Sequence, residues 1–260
     1  MRTMDNDEES QSSTQGQLFD PKTVHMRKAD PVASIVNSAS TYTGGNWSGE
    51  GLENTVARGT EGFEVYQMHK RNMTEPPTPD TIKSYELMRE HLGRQFDHLT
   101  APVSEGGAGI NVEVVSDNPY DTFEGMHNDV VENNRLRVLS TRSTAPPETP
   151  DKGHSFFTNE ENDRFRAIHD AYGHLAIGRD FTRHSEEAAF QSHAQMFPEG
   201  AHAALASETR GQNSYLNWGG NDFPPNVMVN TPEWATKRKI KPPVPKRDMT
   251  PQSAPQQLDI

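Results

Sequence analysis

Apolar residues are scarce in this chain, and their scarcity limits how much of it can form a hydrophobic core. They make up 32% of the 260 residues, against about 45–50%, glycine included, in typical globular domains. The charged fraction is ordinary, at 24%. A low apolar content with ordinary charge indicates a modest core with unstructured ends. About 150–170 folded residues would still be enough to enclose a buried site.

The residues that could form this core lie between two polar ends. Residues 1–60 are rich in Ser, Thr, Asn, Gly and acidic residues, with Val32 to Val36 as the apolar cluster of note. This composition predicts a mostly disordered or extended tail. Residues 236–260 start with the basic, Pro-rich run KRKIKPPVPKR, which predicts an extended tail or a tether for an acidic partner. One folded domain is therefore expected over residues 61–235.

Apolar periodicity within this middle part predicts a helix-rich α+β domain with a small sheet. Thr158 and Glu161 have the spacing of a capping box and predict the start of a helix. The other helices are predicted at Pro79 to Leu99, Thr122 to Asn133, Ser185 to Phe197 and Ala201 to Arg210. The two strands are predicted at Ile110 to Val115 and Arg135 to Ser140.

Composition and missing motifs exclude several classes of protein. There is no cysteine, so disulfides, thiolate metal sites and cysteine nucleophiles are ruled out, and a metal would need His, Asp or Glu ligands. The formal charge of −12 argues against nucleic acid binding by the acidic domain. No apolar stretch suits a secretion signal or a membrane span, which predicts an intracellular protein with no membrane partner. Phosphate-binding glycine loops and the serine-hydrolase elbow are also missing.

Two histidines in one hexapeptide, HDAYGH, give the strongest indication of chemistry. His169 and His174 lie near the end of a predicted helix, and apolar neighbours such as Phe165 predict that both are partly buried. Buried imidazoles need a partner, which is either a metal or a hydrogen bond within the core. Residues five apart lie about 140° apart around an ideal α-helix, so the helix must end or distort if both are to bind one ion. Gly173 makes such a distortion easy.

The hexapeptide resembles the H-E-x-x-G-H element of the pterin-dependent aromatic amino acid hydroxylases. In that family, two histidines and a later glutamate form a 2-His-1-carboxylate site for non-haem Fe(II). The resemblance implies His169, His174 and Glu208 as ligands of Fe(II) or another bivalent metal, and oxidation or hydroxylation of a small-molecule substrate. Glu208 follows His174 by 34 residues, and Asp170 stands where the family has Glu. The match covers residues 159–218, and no pterin loop can be placed outside it, so pterin is doubtful.

Further polar residues accompany these candidate ligands. Glu186 and His193 share a helical face, so they could add a metal ligand or orient the imidazoles, whereas Glu187 suits the first turn of its helix. Arg210 could bind an anionic group of the substrate, or belong to an ordinary helix end. We therefore expect Asp170, His193 and Arg210 to support the reaction and Glu186 to be a further ligand.

Two alternatives remain open. The adjacent His169 and Asp170 resemble the signature of HD-type phosphohydrolases, with His154 and Asp180 as the remaining ligands; metal contact by Asp170 rather than Glu208 would favour this class. The segments FRAIHDAYGHLA and ASETRGQNS also resemble a family of uncharacterised bacteriophage proteins. A virion or assembly protein, with partners bound through the tails and a structural metal or polar cluster, is the second alternative. Its location would be the host cytoplasm or the virion.

Overall fold

Helices dominate the computed structural model, which describes residues 30–52, 59–220 and 224–237. In chain order the elements are α1 (Pro31–Tyr42), α2 (Gly59–Asn72), α3 (Pro79–Thr100), β1 (Asn111–Val115), α4 (Phe123–Asn133), β2 (Arg135–Leu139), α5 (Thr141–Thr144), α6 (Asn159–His169), α7 (Arg183–Ala194), α8 (His202–Ala206), α9 (Gln212–Trp218) and α10 (Glu233–Thr236). Short 3-10 turns lie at Val103–Glu105, Leu175–Ile177 and Glu199–Ala201, and there are two π-helical segments. The first π turn is Asp170–His174, directly after α6, and the second π turn is Ser207–Gly211, between α8 and α9. The expectation of a helix-rich protein with a small sheet is confirmed.

The sheet consists of two parallel strands connected through a helix. β1 pairs with β2 so that Asn111 lies opposite Arg135, and α4 lies in the crossover connection that parallel strands require. Leu136 and Val138 of β2 are buried in the main core. Both strands lie where the sequence predicts them, within one residue at their ends.

The longest helix, α3, runs through the core. The Thr78 side chain caps α3 by accepting a hydrogen bond from the backbone N–H of Thr81. Pro79 occupies the first turn of the helix, where a proline costs no internal hydrogen bond. Its buried stripe recurs at helical spacing and includes Tyr85 and Leu92. In the described parts of the chain, no helix combines the length and the apolar character needed to cross a lipid bilayer.

The helix that carries the histidine pair, α6, starts at the predicted capping box. The Thr158 side chain accepts from the Glu161 backbone N–H at 3.2 Å, and the Glu161 carboxylate accepts from the Thr158 backbone N–H at 2.8 Å. This reciprocal cap fixes the first turn of α6. The buried residues Phe165 and Ile168 then face the core and place His169 at the C-terminal end of the helix.

Helix α1 lies in the segment that was predicted to be a tail. Asp30 caps it, and Ile35 and Ala39 are fully buried. The Ser38 hydroxyl lies 3.0 Å from the Tyr172 hydroxyl, which ties α1 to the first π turn. The tail prediction is therefore wrong for residues 31–42. Two apolar residues one helical turn apart, Ile35 and Ala39, are enough to pack a short helix against the core. Residues 1–29 and 238–260, which make up most of the two predicted tails, lie outside the described residues.

The helical run predicted at Ala201 to Arg210 continues beyond Arg210. It passes through the second π turn, and Gly211 has helical angles where α9 begins. A Cβ at residue 211 would lie 2.3 Å from Nδ1 of His69. The glycine therefore serves close packing of a buried ring rather than a helix end.

If α1 is an integral part of the core, Ile35→Ala should lower the free energy of unfolding by about 2–5 kcal/mol, because it leaves a cavity under the helix. Urea denaturation followed by circular dichroism measures this change. Asn37→Ala, at an exposed position of the same helix, is the matched control and should change stability little. Equal stability of the Ile35→Ala variant and the wild type would contradict the docking of α1.

Candidate metal centre

His169 and His174 are brought together by a break in the α-helical geometry. The first π turn follows α6 without interruption. A π turn closes i to i+5 hydrogen bonds, so residues five apart come closer to one side of the axis than in an α-helix. The two ring centroids are 5.1 Å apart, with the planes at 86°. The distortion that the spacing demands is present, as predicted.

Gly173 gives the His169 ring the space that it occupies. A Cβ at residue 173 would lie 3.1 Å from Nδ1 of His169 and 3.3 Å from the Cβ of Ala189 on α7. These separations are shorter than the usual 3.5–4.0 Å of good van der Waals contact. Any larger residue would therefore push the imidazole and α7 apart.

Helix α7 supplies the carboxylate that faces both rings. The two carboxylate oxygens of Glu186 each lie 3.6 Å from an Nε2 atom, one from that of His169 and the other from that of His174. One ligand atom from each of the three residues lies within 4.8 Å of the other two. Among the described residues, this is the group of side chains that could hold a metal ion. The His174 side chain is only 1% exposed and that of Glu186 19%, so the group is sheltered but not sealed.

The Nδ1 atoms of the two histidines have partners of their own. Nδ1 of His174 lies 3.1 Å from the carbonyl oxygen of Arg179. A carbonyl oxygen only accepts, so Nδ1 donates, and Nε2 is the nitrogen directed at Glu186. Nδ1 of His169 lies 3.3 Å from Nδ1 of His193. His193 thus contacts a candidate ligand, in the position from which we expect it to orient the ring.

The charges in this group are strongly coupled. Burial acts to lower the pKa of His174, but the adjacent Glu186 carboxylate outweighs it and raises the pKa to about 9. Burial acts to raise the pKa of Glu186, but His174 and His169 lower it to about 2. Without a cation, a proton therefore holds these side chains together. A bivalent ion would replace that proton, as metal binding to imidazole does generally.

Asp170 lies beside the group without belonging to it. Burial raises the pKa of its carboxyl group, while His174 and His169 act to lower it. The carboxylate is therefore close enough to influence both rings, but it is not one of the three residues whose ligand atoms converge. Asp170 is placed to tune the site electrostatically rather than to complete it.

Aromatic rings form the walls of the site. Phe165 stacks on His169 at 5.9 Å between centroids and on His193 at 6.1 Å. Phe181 meets His174 edge-on at 5.1 Å and is 39% exposed. The inner wall is thus buried, and the outer wall is a partly exposed ring in the loop before α7.

Glu208 lies in a separate buried network, so the structure does not bring it to the histidine pair. Its Oε1 accepts from the Tyr85 hydroxyl at 2.5 Å and lies 3.2 Å from Nε2 of His154, and its Oε2 accepts from Gln212 at 2.6 Å. These contacts satisfy the hydrogen-bonding capacity of the Glu208 carboxylate, and none of them involves His169 or His174. The prediction of Glu208 as the third ligand is corrected, and Glu186 is the carboxylate that the fold places there.

Sequence reasoning missed the partners of Glu208. Nδ1 of His154 accepts from the backbone N–H groups of Phe156 and Phe157, so its proton lies on Nε2 and is donated to Glu208. Tyr85 belongs to the apolar stripe of α3, which gives no sign of a polar role. Only Gln212, one turn after Glu208 in the polar run SETRGQNS, could have been recognised from spacing.

The prediction for Arg210 is also corrected, because its side chain is buried and paired with Glu187 rather than open to a substrate. Its guanidinium forms an ion pair with Glu187, with Nε to Oε2 at 2.7 Å, and also donates to the carbonyl oxygens of Ala235 and Lys237. It packs 3.8 Å above the ring centroid of Phe190. Arg210 and Glu187 thus connect the second π turn to α7 and α10, and neither is a residue of the candidate site.

The additional ligands required by the phosphohydrolase alternative are not assembled either. His154 donates to Glu208, and the Asp180 carboxylate accepts from the backbone N–H and the hydroxyl of Thr182 at 3.1 and 2.7 Å. Neither residue joins the converging group. The geometry therefore favours two histidines and one carboxylate over the four-ligand arrangement.

Comparison with known proteins adds no assignment: no family model, curated protein or solved structure matches the chain. A function for this chain must consequently be inferred from the geometry of the site itself.

Because Arg210 is structural, we expect Arg210→Met to lower the free energy of unfolding by about 3–5 kcal/mol, since it leaves the Glu187 carboxylate buried without its counterion. Urea denaturation measures the loss, and zinc titration of the folded variant should give wild-type affinity. Arg94→Met is the control, because it removes an exposed ion pair with Glu90 that contributes at most about 0.5 kcal/mol. A stable Arg210→Met protein would contradict the structural role.

Proposed function

We propose that this protein is a mononuclear non-haem metalloprotein of the oxygenase or hydroxylase type, with Fe(II) bound by His169, His174 and Glu186. The observation that carries the proposal is the convergence of two Nε2 atoms on the two oxygens of one carboxylate, at 3.6 Å each. Two imidazoles and one carboxylate are the donor set of the facial triad of non-haem Fe(II) oxygenases.

The geometry of the three residues fits a bivalent ion of this kind. Imidazole nitrogens and carboxylate oxygens bind such ions at about 2.0–2.2 Å. Two ligands of one ion therefore lie roughly 3.0–3.5 Å apart in octahedral or tetrahedral geometry. The separations of 3.6 Å between Glu186 and each imidazole lie slightly above this range, and the ligand atoms of all three residues lie within 4.8 Å of one another. The three side chains would therefore have to rotate inward to hold one ion.

Each side chain has a definable part in such a site. His169 and His174 offer lone pairs, and Glu186 neutralises one of the two charges of the ion. Asp170 adds negative charge beside the rings without occupying a coordination position. An Fe(II) ion held by these three ligands would have open positions and would supply dioxygen chemistry to the site.

The substrate would approach past the partly exposed Phe181, because the opposite wall is closed by Phe165 and the core. Arg210 is not proposed as the substrate anchor, since it is buried and paired with Glu187. We therefore propose a small-molecule substrate whose recognition does not depend on that guanidinium.

The principal alternative is a structural role, in which the same residues stabilise a virion or assembly protein. The low exposure of His174 is the observation that favours it. A structural site has four protein ligands and no open position, whereas the group described here has three. We therefore prefer the catalytic proposal.

The first test is metal content. We expect the purified wild type to bind one Fe(II) or zinc ion per chain, and we expect His174→Ala and Glu186→Gln to weaken binding by more than about 100-fold, since even second-shell changes cost 10–100-fold. Elemental analysis and competition with a chromophoric chelator measure both quantities.

Two matched variants control this experiment. Glu208→Gln alters the other buried carboxylate, and His184→Ala removes an exposed imidazole of α7; both should retain wild-type affinity. Loss of metal in Glu208→Gln with retention in Glu186→Gln would restore the sequence-based triad and refute ours. Equal metal content in all variants would refute any site at these residues.

The second test separates catalysis from structure. We expect the visible spectrum of the cobalt-loaded protein to change when azide is added, because an anion can enter a coordination position that the protein leaves open. The spectrum of the Glu186→Gln variant, recorded with cobalt under the same conditions, is compared with that of the wild type. A spectrum insensitive to azide, together with unfolding upon chelation, would favour the structural role.

A further inference from the structure

The residue Gln95 connects the C-terminal part of α3 to the candidate metal site. It is fully buried, and its Nε2 donates to the carbonyl oxygen of Met196 at 3.0 Å. Because a carbonyl oxygen only accepts, this contact requires the NH₂ end of the amide. The orientation of the amide is thereby fixed, with Oε1 directed to the opposite side.

On that side lies His193. The distance from Oε1 of Gln95 to Nε2 of His193 is 2.9 Å, and an amide oxygen can only accept. Nε2 of His193 must therefore carry a proton. His193 is fully buried, and neither of its nitrogens faces a carboxylate, so the ring is neutral and has a single N–H. Its Nδ1 is consequently an acceptor.

The acceptor role of His193 Nδ1 in turn fixes the proton position of the candidate ligand His169. Nδ1 of His169 lies 3.3 Å from Nδ1 of His193, and two acceptors cannot form a hydrogen bond, so Nδ1 of His169 must donate. Nε2 is then the nitrogen of His169 that is left to bind an ion, and it faces Glu186 at 3.6 Å. Phe165 stacks on both imidazoles, at interplanar angles of 26° and 15°, and restricts rotation of the two rings.

We propose that Gln95 is a positioning residue, which fixes the tautomer of His193 and, through it, keeps a proton on Nδ1 of His169, so that Nε2, the nitrogen facing Glu186, is the one available to an ion. The role in metal binding rests on the proposed function, whereas the tautomer assignment stands without it. His174 is oriented independently by the Arg179 carbonyl oxygen and provides an internal reference.

The tautomers can be read directly in the wild-type protein by long-range nitrogen–proton NMR of histidine-labelled samples, with and without zinc. We expect His193 to carry its proton on Nε2, and His169 to carry one on Nδ1 in both samples. A proton on Nδ1 of His193 would overturn the proposal, even if the protein binds zinc normally. Failure to bind zinc, with the expected tautomers present, would refute the proposed function and leave the hydrogen-bond assignment intact.

Substitution of Gln95 tests whether the hydrogen bonds from Gln95 through His193 to His169 affect metal binding. Gln95→Leu removes the acceptor for His193, so we expect zinc affinity to fall about 10–100-fold, with altered His169 and His193 signals and unchanged His174 signals. Gln95→Glu should rescue the affinity, because a buried carboxyl group tends to be protonated and can then donate to Met196 and accept from His193 as the amide does.

The matched control is Gln195→Leu. Gln195 bonds to Ser48 and to the Gln191 backbone but not to any histidine, so this variant should bind zinc as the wild type does. Zinc affinity that is unchanged in Gln95→Leu, or equally weakened in Gln195→Leu, would overturn the positioning role. If Gln95→Leu does not fold, the wild-type tautomers and the Gln95→Glu variant decide the question.

Discussion

The candidate site depends on the first π turn, because an α-helical continuation of α6 would turn His174 about 140° away from His169. The π turn changes that relation within one helical turn and brings the ring centroids to 5.1 Å. Such turns are rare within helices and frequently occur at functional sites. The Tyr172 hydroxyl in contact with Ser38 of α1, and the close approach of Ala189 to Gly173, hold the distorted segment from two sides.

A second constraint is that two other buried glutamates near the site, Glu208 and Glu187, have partners of their own. Glu208 receives hydrogen bonds from Tyr85, His154 and Gln212, and Glu187 is paired with Arg210. Burying a carboxylate without such partners would cost several kcal/mol. In contrast, Glu186 faces two imidazoles whose Nδ1 atoms are occupied elsewhere. The carboxylate that remains available to a cation is therefore distinguished by its partners rather than by its position in the sequence.

Local signals predicted much of this fold because they act within a few residues. The capping box at Thr158 and Glu161 needs only a four-residue segment, and strand β2 is recognisable from its alternating apolar residues. Helix α1 was missed because average composition hides a short apolar pair, and the burial of Ile35 exists only through packing against distant helices. Likewise, the need for a distortion between the two histidines followed from helix geometry alone, which is a local property.

The choice of carboxylate could not be made in this way. Glu186 and Glu208 both follow the histidine pair on helical segments, and a spacing borrowed from another family favoured Glu208. What decides between them is the approach of α7 to the first π turn, which depends on small residues: Gly173 has no side chain, and Ala189 opposite it has only a methyl group. Gly173 permits this helix contact and therefore determines that Glu186 faces the imidazoles. A motif defined only by the types and spacing of its ligands cannot predict such a contact.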